Sequence, residues 1–169
     1  NFVSRTQPSD CIAYAINDTT YSLELDTMSH REWDEDGHLV LHIFYSGQTD
    51  GVWGAPGSVK RVYAYKANKQ TLEEVYLWDT PTNTWVGQSR HVWDFDEWGN
   101  TILEEQYNAM VNGVWQGKSK QVSSYDSKKH RLLYEVYSSW QDGEWIGSTR
   151  EEQAYDGNTR ILIVKYSGW

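Results

Sequence analysis

The chain has 169 residues, 38 % of them hydrophobic, with 10 Trp, 12 Tyr and 3 Phe, a net charge of −9 and one cysteine. That length suits one domain or a short array of repeats, and the aromatic content is too high for a disordered chain. The acidic balance speaks against nucleic acid or anionic lipid as a partner; the lone Cys11 rules out an intrachain disulfide and a cysteine zinc site; and no apolar run is long enough to span a membrane.

Residues 1–30 carry CIAYA, then NDTT, then YSLELD. They read as an N-terminal hairpin that caps the first edge of a sheet, since repeat arrays need capped ends. Cys11, inside CIAYA, reads as a small buried residue.

From Arg31 a period of thirty residues sets in, giving blocks 31–60, 61–90, 91–120, 121–150 and 151–169 within one domain. Tyr65, Phe95, Tyr125 and Tyr155 share one column, and Asp96, Asp126 and Asp156 follow the last three. Trp85, Trp115 and Trp145 share another, with Gly87, Gly117 and Gly147 two residues on, and Arg90, Lys120 and Arg150 close the blocks. The first block is a drifted copy, REWDEDGHLVLHIFY followed by GVW.

Each block reads as two strands and two turns. The stretches DEDGH, DEWGN, DSKKH and DGN supply residues that tolerate tight turns. TLEEVY, ILEEQY, LLYEVY and ILIVKY are too short for stable helices and rich in strand formers. A looser turn then leads to the Trp. The expected fold is therefore all-β: an antiparallel meander of about nine or ten strands, two per repeat. Charged and apolar residues mix on both faces, which favours a single thin sheet. The alternative is a partly closed barrel or a half-sandwich.

The expected register puts Tyr107 opposite Trp115, Tyr137 opposite Trp145, Tyr76 opposite Trp85 and Tyr45 opposite Trp53. Lys118 then lies across from Glu104, and Tyr, Trp, Gly and the following aromatic share one face. The glycine leaves room for a ring to lie across the backbone.

The aromatic–Asp pairs, the Gly–Asn turns in WDFDEWGN and YDGN, and the recurrent Trp before basic residues resemble a group of uncharacterised exported repeat proteins of Bacteroides and relatives, a domain family of unknown function. The likeness covers residues 31–169. It implies architecture and an exported location (periplasmic, cell-surface or secreted), and it supplies no catalytic residues. The chain carries no signal peptide, and its start at Asn1 leads to the expectation that an export signal has been removed.

Glu74, Glu105 and Glu135 occupy one column about 9.6 Å apart by strand spacing, within reach of an inverting glycosidase geometry. A catalytic pair needs two unequal environments, whereas a repeated column supplies one environment several times; the carboxylates read as structural partners of Lys or Arg. His38 and His42, four apart on one strand, are about 13 Å apart and cannot share a metal. DEDG and DFDEWGN lack the ligand spacing of a calcium loop and read as turn caps. No metal or cofactor is expected.

The aromatic residues are the remaining candidates. Trp85, Trp115 and Trp145 recur about every 10 Å on one face, close to a disaccharide step, and Trp78, Trp98 and Trp140 stand in loops. The reading is a non-catalytic exported β-repeat protein that presents these six Trp as a recognition surface for a glycan or a surface protein, as a monomer or an edge-strand dimer. The alternatives are a carbohydrate-processing enzyme or its accessory module, and a purely structural surface protein.

Overall fold

The computed structural model describes the backbone of residues 10–17, 22–46, 48–49, 52–53 and 57–168, and the side chains of 28–46 and 57–168. Among these residues every regular element is a strand: β1 (Asp10–Asn17), β2 (Ser22–Trp33), β3 (Leu39–Tyr45), β4 (Gln48–Thr49), β5 (Val52–Trp53), β6 (Val59–Lys66), β7 (Lys69–Asp79), β8 (Thr84–Phe95), β9 (Thr101–Val111), β10 (Val114–Tyr125), β11 (Arg131–Gln141), β12 (Glu144–Asp156) and β13 (Thr159–Ser167). The main sheet runs in chain order, β1-β2-β3-β6-β7-β8-β9-β10-β11-β12-β13. It is an open antiparallel meander, not the barrel or half-sandwich alternative.

The described chain forms two compact units, residues 1–69 with 74–88 and residues 70–73 with 89–169. In the first, β1 pairs with β2 and β2 with β3, but β3 pairs next with β6. The expected Tyr45–Trp53 pairing fails, because Val52–Trp53 turns back on Gln48–Thr49 as a separate two-strand sheet. The side chains of Trp53 and Cys11 lie outside the described residues.

Two kinds of turn alternate. Asp34, Asp96 and Asp126 each open a five-residue loop in which the Asp amide donates to the carbonyl of the fifth residue, His38, Asn100 or His130. One carboxylate oxygen accepts the amides of the third and fifth residues at 2.8–3.1 Å. The other meets the fifth residue's side chain: His38 Nδ1 at 3.0 Å, Asn100 Nδ2 at 2.8 Å and His130 Nδ1 at 2.9 Å. The fourth residue is left-handed, with φ of 85° at Gly37, 84° at Gly99 and 67° at Lys129. The turn-cap reading of DEDG and DFDEWGN is thus the observed one. The second kind is tighter than expected: Asn112–Gly113 and Asp142–Gly143 close two-residue hairpins with positive φ at both positions.

No hydrophobic side chain is fully buried among the described residues; Ser58, Glu135 and Gln153 are the buried ones. The sheet is held instead by contacts along its faces. Its ladders are also repeatedly bulged. In the second unit, one residue is skipped after Gly117 and one after Gly147, Ala109 and Ser138 are skipped near the hairpin ends of β9 and β11, and Ile102, Leu132 and Ile161 are skipped on β9, β11 and β13. A bulge inverts the side-chain alternation beyond it, and the two-residue turns start the β9–β10 and β11–β12 ladders at Val111–Val114 and Gln141–Glu144, so the expected register does not hold.

Tyr107 faces Gly117 and Tyr137 faces Gly147, while Trp115 sits opposite Met110 and Trp145 opposite Trp140. Lys118 is the bulged residue, and Lys120 rather than Lys118 meets a glutamate, Glu105 rather than Glu104. The following aromatic also changes sides. Beyond the bulge at Ser148, Thr149, Glu151, Gln153 and Tyr155 point away from the face that carries Tyr137 and Gly147.

Candidate functional site

The two faces of the second unit differ in chemistry. One face repeats a single constellation. Tyr107 Oη donates to Glu105 at 2.8 Å, and Lys120 Nζ lies 3.0 Å from the same carboxylate. One repeat on, Tyr137 Oη donates to Glu135 at 3.0 Å, and Arg150 lies 3.1 Å away. In the first unit Tyr76 Oη donates to Glu74 at 2.6 Å. The cation also lies over the tyrosine of the next strand, Arg90 over Tyr107 and Lys120 over Tyr137. Burial first, then the bonded glutamate, pushes the Tyr107 and Tyr137 hydroxyls up to about 12. The structural reading of the Glu column is therefore the observed pairing, although Glu135 is buried rather than solvated.

The same face carries a ring cluster, and the first unit has one of its own. Trp140 lies flat over Gly117: a Cβ on that glycine would sit 2.5 Å from Trp140 Cε3 and 2.6 Å from Cδ2. Trp145 meets Trp140 edge-on at 4.8 Å, and Tyr107 meets both, at 6.0 and 5.6 Å. In the first unit Trp85 meets Trp78 at 5.2 Å and Tyr45 at 6.1 Å, with Lys60 over Trp85 and Tyr76. The glycine thus receives a ring as expected, but from the neighbouring hairpin.

Of the six Trp singled out in the sequence, the structure brings Trp78 to Trp85 and Trp140 to Trp145. Trp78 and Trp140 are strand residues, on β7 and β11, not loop residues. Trp115 stands at the start of β10. Trp98 does lie in a turn, 42 % exposed, its amide bonded to Asp96.

The opposite face holds residues that sequence reasoning passed over. His91 packs on Trp93 at 3.7 Å and bonds Glu104 at 3.0 Å. Arg131 lies over Tyr134 at 4.4 Å, and Tyr134 Oη donates to Gln121 at 3.0 Å. Tyr134 borders two shallow depressions. One, about 200 Å³, is lined by Glu104, Gln121, Ser123 and Arg131 among others; the second, about 370 Å³, by Thr149, Glu151, Lys165 and Ser167. The Lys165 amine, 3.1 Å away, holds the Glu151 carboxyl below its usual range. The signal for this face was the strand alternation, hidden by the bulge that turns it over.

The histidines serve as turn and ring partners: His38 stacks on Tyr65 at 4.5 Å and His130 on Tyr155 at 4.4 Å. Among the described residues no three His, Cys, Asp or Glu side chains converge as a metal site.

No family model matches the chain, and no curated protein matches it. Among solved structures, it is similar to a protein of unknown function from Bacteroides fragilis, at 17 % identity and a TM-score of 0.42, over 75 % of this chain and 91 % of that one.

Proposed function

We propose that the protein is a non-catalytic, exported recognition module that binds a glycan chain on the Tyr134 face of its sheet, and that it belongs with the Bacteroides-type exported repeat proteins its turns resemble. The carrying observation is the pair of depressions on either side of Tyr134. A half-buried aromatic ring that carries Arg131 over one of its faces, with Gln121, Ser123, Glu104, Thr149 and Glu151 around it, offers a ring surface with amide, hydroxyl, carboxylate and guanidinium partners, the chemistry a sugar ring requires. Trp140 is engaged with Gly117 and Trp145, and in the first unit Trp78 with Trp85, which suits cement better than a ligand strip. The glutamate column supports the non-catalytic reading: Glu105 and Glu135 each have a tyrosine hydroxyl and a cation, which sets up no unequal acid–base pair. Export rests on the resemblance of the turn motifs alone.

A glycan array followed by titration tests this reading. Binding by the wild-type chain should fall about tenfold or more in Tyr134→Ala, the loss of one ring contact, and survive in Trp98→Ala. No binding to any glycan, or full binding by Tyr134→Ala, sinks it.

A further inference from the structure

Strand β13 departs from the repeat at one position. Aligned on Tyr107 and Tyr137, β13 carries Tyr166; two residues earlier, where β9 and β11 have Glu105 and Glu135, it carries Val164. The register confirms the equivalence: Arg150 lies opposite both Glu135 and Tyr166. In the interior, the glutamate receives a cation from the strand laid against it, as Glu105 receives Lys120. A strand of that type laid on β13 would place its cation against an isopropyl group. The partner that fits must offer an apolar side chain opposite residue 164.

β13 is apolar and open around that point. Leu162 is 52 % exposed, Ile163 38 % and Tyr166 48 %, and among the described residues β12 is the strand paired with it. The bulge at Ile161 confines regular pairing to 162–167, just as the interior strands on β9 and β11 begin their ladders at Leu103 and Leu133.

The geometry points to a second copy of this chain as the partner, joined through antiparallel pairing of the two β13 strands about a two-fold axis at Val164. That register places Val164 on Val164 and Leu162 on Tyr166 of the other copy, all on one face, and Ile163 beside the stem of Lys165 on the other. Charge is compatible: each Lys165 is already neutralised by its own Glu151 at 3.1 Å, and β13 carries no acid. The interface is isologous and closes after two copies. Its short ladder falls below the about 1,200 Å² of stable complexes, so association is weak and concentration-dependent.

Sedimentation equilibrium across about 5 µM to about 1 mM, the range of such weak interfaces, should show a monomer–dimer equilibrium. Val164→Glu restores the residue that β9 and β11 tolerate, so the sheet keeps its fold, as amide protection of β12 verifies. It sets two carboxylates face to face on the axis and should weaken self-association by about tenfold or more. Ile161→Thr, 63 % exposed but outside the ladder, should leave it unchanged. A chain that stays monomeric over the whole range overturns the proposal, as does a dimer of equal strength in folded Val164→Glu.

Discussion

Gly117 gives the sharpest test of how rings and glycines hold this sheet. Replacing it with Ala adds one methyl group, which in an ordinary strand gains about 0.5–1 kcal/mol by restricting the unfolded chain. Here the methyl would come to 2.5–2.9 Å from three atoms of the Trp140 ring, Cε3, Cδ2 and Cγ. A carbon–carbon contact needs about 3.5 Å or more, so the whole indole must lift, and with it the edge contact to Trp145 at 4.8 Å and the Tyr107 contact at 6.0 Å. Overpacking of this kind costs about 1–3 kcal/mol. Taking about 2 kcal/mol, at about 2–4 °C per kcal/mol for a chain of this size, Gly117→Ala lowers the melting temperature by about 4–8 °C.

A double-mutant cycle separates the ring from the backbone. Trp140→Ala alone removes a partly exposed ring and costs about 2–3 kcal/mol, less than the about 3–5 of a fully buried one. On that background Gly117→Ala meets no ring and becomes neutral or stabilising by about 0.5 kcal/mol. Urea unfolding followed by circular dichroism measures all four corners. The sign change is the essential result. Equal effects of Gly117→Ala in both backgrounds, or stabilisation in the wild type, would show that the Trp140 ring does not rest on Gly117.

Three further outcomes are expected. Lys129 adopts φ 67° where the equivalent turn positions are Gly37 and Gly99, so Lys129→Gly should stabilise the chain by about 0.5 kcal/mol or more in thermal unfolding. At Asp126, partial desolvation pushes the carboxyl up, but hydrogen bonds from His130 and Lys128 outweigh it and hold the group below its ordinary 3.8; its contribution is therefore present above pH about 4 and is lost as pH falls through the lowered value, so acid unfolding curves of wild type and Asp126→Asn should converge there. Tyr107 and Tyr137, raised to about 12 in the fold from an ordinary 10, hold protons the unfolded chain has released, so stability falls as pH rises from 10 towards 12; ultraviolet titration should show two late-ionising phenols, and Glu105→Gln should bring one of them earlier.

The thirty-residue rhythm made the meander, the Asp turns and the pairing of the glutamate column legible in the sequence. Asp34, Asp96 and Asp126 cap their turns because a short carboxylate can reach the amides two and four residues on, a local relation that sequence spacing encodes directly. The register was not legible, because each repeat loses alternation at an unmarked residue: Lys118 and Ser148 are skipped, and nothing in their identity announces it. Those skips turn Tyr155 away from the tyrosine face, while the displacement of Trp115 and Trp145 from Tyr107 and Tyr137 comes from the two-residue turns at Asn112–Gly113 and Asp142–Gly143 and the skipped Ala109 and Ser138. The position of Trp140 over Gly117 was half legible. The glycine announced a ring, but the ring comes from the next hairpin, a relation between repeats that no single repeat contains.

A sheet held by ring clusters and by the Trp140 ring over Gly117, with no buried apolar side chain among its described residues, exposes little new apolar surface when it unfolds. Calorimetry measures this directly as the heat-capacity change. The heat-capacity change per residue should lie clearly below the about 12–15 cal/mol/K of globular domains; a value within that range would mean that a conventional apolar core holds the sheet.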